Sequence, residues 1–437
     1  MPLTFPSAAE IEASTPADRD RAIDVIRIVS LVGVIAGHAV MATSMIADGV
    51  FLWDNLLTTS AVFQALTWVF QIMPLFFFAG VAASIGSYRS NASWGGWLLK
   101  RCTRLYRPVF YYLAFWAVAL VALHHVLPEH VYEPIAGISI QLLWFLGAYV
   151  LVLASVPLLA RITTGPRLLG AVVAVYGVVA VVDAVRVTDP AWSTMGYLNM
   201  LAWLLPGMLG VAYRRRLLTT RTALRIGVAM FVVNLGLLWM GPYELSLVGI
   251  ESQHLKNMTP PSLLLAGHAI MLCAFAIAAA PGIGRWARRP RVWRLAVIGN
   301  TGAMTLYLWH MPALLGVHLA FDYLGLPRYP GQPHFLMLGT AQMVLVSLMV
   351  AAMFVVLRPL ENDPLPLWDG GYVAAPGARS AAVGTLLSIA GAATLASVGW
   401  GLKEQGLFCV SVMLVALIVA RRLANPGVTA PVEAKVG

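Results

Sequence analysis

The chain has 437 residues, 59% of them apolar and only 11% charged, with a mean hydropathy of +0.79 and a formal net charge of +10. Soluble domains carry about 25% charged residues, so a water-soluble globular enzyme is excluded, as are a nucleic-acid-binding protein and disordered or collagen-like chains. Cys102, Cys273 and Cys409 are too few and too scattered for a disulfide framework or a CxxC metal site.

What remains is an all-α, polytopic transmembrane bundle. A helix needs about 20 mostly apolar residues to cross a hydrocarbon core of about 30 Å. On that criterion the predicted spans are 25–46, 60–86, 107–127, 140–160, 167–187, 198–213, 222–241, 261–280, 298–320, 335–357, 380–399 and 405–421, the sixth and twelfth being short. Residues 1–24 hold Glu10, Glu12, Asp18 and Asp20 and no apolar core, so the first apolar segment is expected to stay in the membrane. The chain divides into a cytoplasmic N-terminal segment (1–24), a ten-helix body (25–357), a Pro/Gly-rich cytoplasmic linker (358–379), two further helices (380–421) and a cytoplasmic tail (422–437).

The distribution of Lys and Arg sets the expected orientation. With the N-terminus inside, 25 of the 29 fall on one side, Arg89, Arg214, Arg215, Arg216, Arg285, Arg288 and Lys435 among them. Only Arg186, Lys256, Arg328 and Lys403 fall on the other. Short cytoplasmic loops retain positive charge, so both termini are expected in the cytoplasm and the chain in the plasma membrane.

In chain order, the first span opens DVIRIVSLVGVIAGH, Asp24 to His38. Ten mainly apolar residues separate Arg27 from His38, which puts the imidazole about 16 Å deeper. Ionisable groups at that depth usually face a cavity or a partner. A neutral imidazole suits proton abstraction from an alcohol near neutral pH; a histidine hydrogen-bonded inside the bundle fits the residues equally well. In MPLFFFAGVAAS, Met73 to Ser84, Pro74 can bend its helix and release carbonyls, while Gly80 and its small neighbours suit a packing seam.

The loop KRCTRLYRP follows, Lys100 to Pro108. If it is helical, Arg101, Arg104 and Arg107 form one basic ridge whose guanidinium forks suit phosphate oxygens. Ordinary positive-inside charge is the plainer account. LLWFLGAYVL, Leu142 to Leu151, carries Trp144 near the outer interface, where aromatic belts place Trp in any case. TGAMTLYLWHMP, Thr301 to Pro312, carries Tyr307 and His310. His310 lies about 16 Å beyond Gly299, the depth reached by His38; the two can share a cavity or be two satisfied core groups. His124, His125, His130, His254, His268, His318 and His334 map mostly to outer ends and loops. No compact ligand set, GxSxG elbow or phosphate-binding glycine loop occurs, so no metal is expected.

Taken in order, Arg27-x10-His38, the stretch from Pro74 to Phe78, Arg101-x-x-Arg104, Leu143-Trp144-Phe145-Leu146 and Tyr307-Leu308-Trp309-His310 resemble the acyltransferase-3 family of integral-membrane O-acyltransferases. Asp24 fits that family's opening Asp-x-x-Arg, and Asn257-Met258-Thr259-Pro260-Pro261 is similar to a stretch in actinobacterial members. The resemblance runs from about residue 20 to 370. It implies acyl-CoA as co-substrate from the cytoplasm, its phosphates held by Arg101 and Arg104 with Arg107 beside them. Arg27 would position or stabilise the donor, and His38 would be the general base on an acceptor hydroxyl. Asp24, Trp144, Tyr307 and His310 are the expected supporting or positioning residues. The implied acceptors are cell-envelope glycans, glycolipids or small-molecule alcohols, and the implied acyl group is short, often acetyl.

Helix count alone suggests another class, a twelve-helix secondary transporter. A major-facilitator protein carries a Gly-x-x-x-Asp-Arg-x-Gly-Arg loop after its second span. The corresponding stretch here, GSYRSNASWGGWLLKRCTRLYRP, has no acidic residue.

Overall fold

The computed structural model describes residues 5–58, 60–88, 93–248 and 255–426. Arg89, His254 and Lys435 lie outside the described residues. Twelve helices are long and apolar enough to cross a membrane: Arg21–Met41, Ala61–Ile85, Trp94–Val126, Glu129–Ala154, Gly165–Thr188, Ala191–Arg214, Thr220–Met240, Leu263–Trp286, Ala303–Tyr323, Phe335–Asn362, Ala378–Ser397 and Glu404–Leu423. Each coincides with one predicted span, and the chain is a multi-pass all-α helix bundle.

The first span is helical only to Met41, residues 42–46 being strand, and the fourth begins at Glu129, turns at 139–142 and ends at Ala154, not at 160; four others differ for a local reason. The second is interrupted at Gln71–Ile72, and Pro74 sits in the first turn of its second half, where no backbone N–H is needed. The freed Gln71 carbonyl faces His268 Nε2 of the eighth span at 3.2 Å. The third begins at Trp94, not near residue 107: Ser93 Oγ caps the N–H of Gly96, and the helix runs unbroken through the basic stretch to Val126. The sixth starts as a 3₁₀ segment, Pro190–Trp203, and continues as α-helix. A 3₁₀ helix rises about 2 Å per residue, so fewer apolar residues cover the same thickness. The ninth starts at Ala303, because Gly302 separates it from the amphipathic helix Pro290–Thr301.

Packing resolves two compact units, residues 1–87 with 158–355 and residues 88–157 with 356–437. In the first unit, the helix Pro290–Thr301 packs against the start of the first span, and the ninth span then runs alongside the first in the same direction. Successive contacts keep the register: Asn300 Nδ2 donates to the Asp24 carbonyl at 2.9 Å, Gly299 lies against Ile28, His38 meets His310, and Ser44 meets His318. The first span ends in a hairpin, β1 (Ala42–Ala47) and β2 (Val50–Asn55). Its turn residues Asp48 and Gly49 both have positive φ, the Asp-Gly chemistry of a two-residue type I′ turn. Arg328 donates to the carbonyls of Val40 (2.9 Å) and Ala42, and Gln342 donates to that of Ala39 (2.7 Å). These side chains satisfy carbonyls that the end of the first span leaves without helical partners. Burial draws the Arg328 guanidinium down to about 10, still cationic at neutral pH.

The polar lead-in is folded. A Ser7–Glu10 capping box starts the helix Ala8–Ser14, whose Ile11 packs with Val25 and Trp293. Trp293 Nε1 donates to Thr15 Oγ1 at 2.8 Å, and Arg21 pairs with Glu12, whose carboxyl it holds below the usual range.

In the second unit the last two spans pack with the third and fourth. Lipid tails are as apolar as leucine, so helices in a membrane associate through close fit, and small residues mark the crossings. A Cβ on Gly147 of the fourth span would lie 2.6 Å from the Gly391 carbonyl of the eleventh, and one on Gly95 of the third 2.2 Å from that of Ser380. The Ser380 hydroxyl is bonded by Ser93 Oγ and the Gly95 N–H, each at 2.9 Å. The linker is tied down as well: Trp368 Nε1 donates to the Thr103 carbonyl (2.9 Å), and Arg421 donates to the carbonyls of Trp368 (2.9 Å) and Asp369 (2.8 Å).

Candidate functional site

Within the first unit, the first span carries Asp24, Arg27 and His38 up one helix, and the ninth brings Tyr307 and His310 beside it. His38 Nδ1 lies 2.9 Å from His310 Nε2, with the rings 5.2 Å apart and inclined by 30°. One proton is shared between two neutral imidazoles at that contact. When it sits on His38 Nδ1, the other nitrogen of His38 carries the free lone pair. His38 Nε2 makes no hydrogen bond among the described residues, and the residue is half-buried, whereas His310 is fully buried. Tyr307, one turn before His310, is buried with its ring 5.9 Å from that imidazole. The matching depth read from the sequence thus becomes direct contact.

Arg27 lies nearer the basic end of the same helix. Its guanidinium stands 5.4 Å from the centre of the Phe76 ring, and its buried Nε has no hydrogen-bond partner among the described residues. A cation so placed favours an anionic or strongly polarised group beside it. Asp24 does not pair with Arg27; it takes both forks of Arg19, at 2.6 and 2.9 Å, with its own side chain buried.

The second unit holds the remaining expected site residues. The basic segment is helical, but its three arginines point differently, since a step of three residues turns each by about 60° from the last. Arg107 turns inward: it forms a double contact with Asp369 and donates to the Glu361 carbonyl at 2.7 Å. Arg101 lies over the Trp97 ring at 3.6 Å and donates to the Trp97 carbonyl, and Arg104 is exposed. Trp144 is half-buried at the start of the second helix of the fourth span, Leu143–Ala154, not at the start of the span, and its ring is 6.1 Å from that of Phe145. Arg107→Gln is therefore expected to destabilise the protein by about 3 kcal/mol, because Asp369 loses its charge partner. Arg104→Gln is expected to stay within about 0.5 kcal/mol. Thermal unfolding of the two detergent-solubilised variants checks this contrast, and equal melting points would contradict it.

Two features of the first unit escaped the sequence reading. At the basic end, a cleft of about 1030 Å³ is lined by Arg19, Arg21, Arg216, Arg285 and Arg288, with only Glu12 and Asp20 as acidic groups. Arg216, Arg285 and Arg288 have no ion-pair partner among the described residues. The spacing of Arg285 and Arg288, one helical turn apart, was the available signal. Two histidines assigned mostly to ends and loops, His268 and His318, are fully buried in the eighth and ninth spans. The spacing His310, His318, Asp322 on one helix was the clue to the second of these.

Comparison with known proteins bears on the whole of this arrangement. No curated protein and no solved structure matches the chain. The acyltransferase domain of the acyltransferase-3 family matches residues 20–357, from just before the first span into the tenth; of the residues named for the site, Glu12, Arg19, Glu361 and Asp369 alone lie outside it. A multi-pass helix bundle matched over that length belongs to the acyltransferase-3 family, a family of membrane acyltransferases.

Proposed function

We propose that the protein transfers a short acyl group, acetyl or one of similar size, from acyl-CoA to a hydroxyl of a cell-envelope glycan, a glycolipid or a small-molecule alcohol. In this reading it lies in the plasma membrane with both termini and the basic ends of its helices in the cytoplasm. The observation that carries the reading is the 2.9 Å contact between His38 and His310, with the second nitrogen of His38 unengaged.

His38 acts as the general base. Its Nε2 takes the proton of the acceptor hydroxyl as that oxygen attacks the thioester carbonyl carbon. Collapse of the adduct breaks the C–S bond, and the leaving thiolate recovers the proton from His38. The charge that develops on the imidazole is stabilised by donation from Nδ1 to His310, which fixes ring and tautomer together. Arg27, about 16 Å nearer the basic end of the helix than His38, positions the donor and not the reacting carbonyl. Expelling water from around the reactants protects the thioester from hydrolysis.

Two groups of arginines suit the donor phosphates. Arg101 and Arg104 are the pair expected from the sequence. The cleft favours a second placement, because Arg216, Arg285 and Arg288 line one space large enough for a nucleotide and have no ion-pair partner among the described residues, whereas Arg19 and Arg21 are already paired with Asp24 and Glu12. Comparing Arg101→Gln/Arg104→Gln with Arg285→Gln/Arg288→Gln separates them. The pair that binds phosphate should raise the acyl-CoA KM by about tenfold per lost charged hydrogen bond and leave the acceptor KM unchanged. If neither pair alters it, both serve topology alone.

The activity itself is tested with purified protein in liposomes, radiolabelled acetyl-CoA and candidate acceptors from the envelope. Label in an ester product supports the reading. Uptake of a solute without any consumption of acyl-CoA would replace it with the transporter reading.

A further inference from the structure

A second polar cluster stands further from the basic ends, where the hairpin that follows the first span meets the ninth span. Ser44 Oγ, at the start of the hairpin, lies 2.8 Å from His318 Nδ1 and donates to Asp322 Oδ2 at 2.9 Å. Trp53, directly across the hairpin from Ser44, packs its ring T-shaped against that of His318, with the ring centres 5.0 Å apart. Ser44 and His318 are wholly buried. Yet two atoms of the cluster, His318 Nε2 and Asp322 Oδ1, are buried without a hydrogen-bond partner among the described residues, as is Thr43 Oγ1 next to Ser44.

Buried polar atoms are nearly always paired, and an unpaired group carries the full cost of its desolvation. Several in one place point to a guest that supplies the missing bonds. Ionisable groups within a transmembrane span are functional by default. From His310 to His318 is eight residues, about 12 Å along the ninth span.

We infer that Ser44, His318, Asp322 and Trp53 form a subsite that grips hydroxyl groups of the acceptor about 12 Å from the hydroxyl that reacts, so that the favoured acceptor is an extended, neutral, polyhydroxylated molecule of at least two sugar units. This rests on the acyl-transfer reading for the His38 end only. The chemistry selects the guest. The open carboxylate oxygen of Asp322 needs an O–H or N–H donor and repels anions. With the Ser44 proton given to Asp322, His318 Nδ1–H donates to Ser44 Oγ, so the open Nε2 of the neutral ring accepts from a guest hydroxyl, and an indole offers a flat apolar platform to a sugar ring. The cation nearby, Arg328, directs its two terminal nitrogens to the carbonyls of Val40 and Ala42. Grip at a distance of this kind lowers the acceptor concentration required without taking part in bond making.

The test uses the full-length protein in nanodiscs and neutral gluco-oligosaccharides of one to four units, with Asp322→Asn, His318→Gln and Trp53→Phe. Binding is read without acyl-CoA by calorimetry, and turnover is read with acetyl-CoA. Binding should tighten about tenfold from one unit to two or more. The three variants should lose that gain while keeping the wild-type kcat on the single unit and the wild-type acyl-CoA KM. Trp53→Phe, which removes no buried hydrogen bond, keeps the test valid should either polar variant fail to fold. Length-independent binding by the wild type, or variants that retain the gain, would overturn the subsite. Length-dependent binding without any ester product would leave the subsite standing and overturn the acyl-transfer reading instead.

Discussion

Replacing His38 with alanine should lower acyl transfer by about a thousandfold while the protein still inserts and purifies normally. A positioned base contributes about 10² to 10⁴ to rate, and the 2.9 Å contact with His310 leaves only one nitrogen of His38 to do that work. His310 acts through His38, so its replacements should separate by chemistry. His310→Ala removes the partner of Nδ1 and should cost about tenfold in kcat and shift the pH profile. His310→Gln keeps a polar group at the same reach and should restore most of both. The deciding measurement is the pH dependence of kcat for all three variants beside the wild type. Wild-type turnover by His38→Ala would remove the base from the mechanism. An identical pH profile in His310→Ala and the wild type would reduce His310 to packing.

The second large effect is structural. Gly147→Leu places a side chain where the Gly391 carbonyl and the Leu395 amide both lie 2.6 Å from the position of its first carbon. Neither backbone group can rotate away, so the eleventh span must withdraw from the fourth. Overpacking of a tight crossing costs about 1–3 kcal/mol, and here the misfit is with main chain, at the upper end of that range. The melting temperature of the solubilised protein should fall by several degrees, and the linker around Trp368 should become accessible to protease. Gly170→Leu, on the fifth span with nothing within 4 Å, is the control and should change neither. A Gly147→Leu variant as stable and as protease-resistant as the control would show that this crossing is looser than described.

How much of this was legible beforehand follows from which signals are local. The twelve spans were, because length and apolarity are set within each segment. The meeting of His38 with His310 was readable as a matched depth, since rise per residue is fixed. Depth counting alone could not show that Gly302 ends one helix and starts another, a matter of backbone geometry at a single residue. The fate of Arg107 was out of reach: spacing by three residues suggested a shared ridge with Arg101 and Arg104, and only a carboxylate 262 positions away reveals that it is an internal tie. Asp24 was hidden likewise, its partner being Arg19 and not the Arg27 of the same motif. The Ser44 cluster needed the hairpin, whose Asp48-Gly49 turn is visible in the sequence but whose position over the ninth span is not.

Because the first span with its hairpin and the ninth span ascend together like the two sides of a zip fastener, their lengths are locked to each other. Deleting one residue between Val29 and Gly37 would swing everything beyond it by about 100° and drop it by about 1.5 Å. His38 would then leave His310, and Ser44 would leave His318, in a single stroke. Loops elsewhere in the chain can lengthen or shorten across evolution, but the number of residues from Asp24 to Ser44, and from Asn300 to Asp322, cannot drift unless both sides change in step.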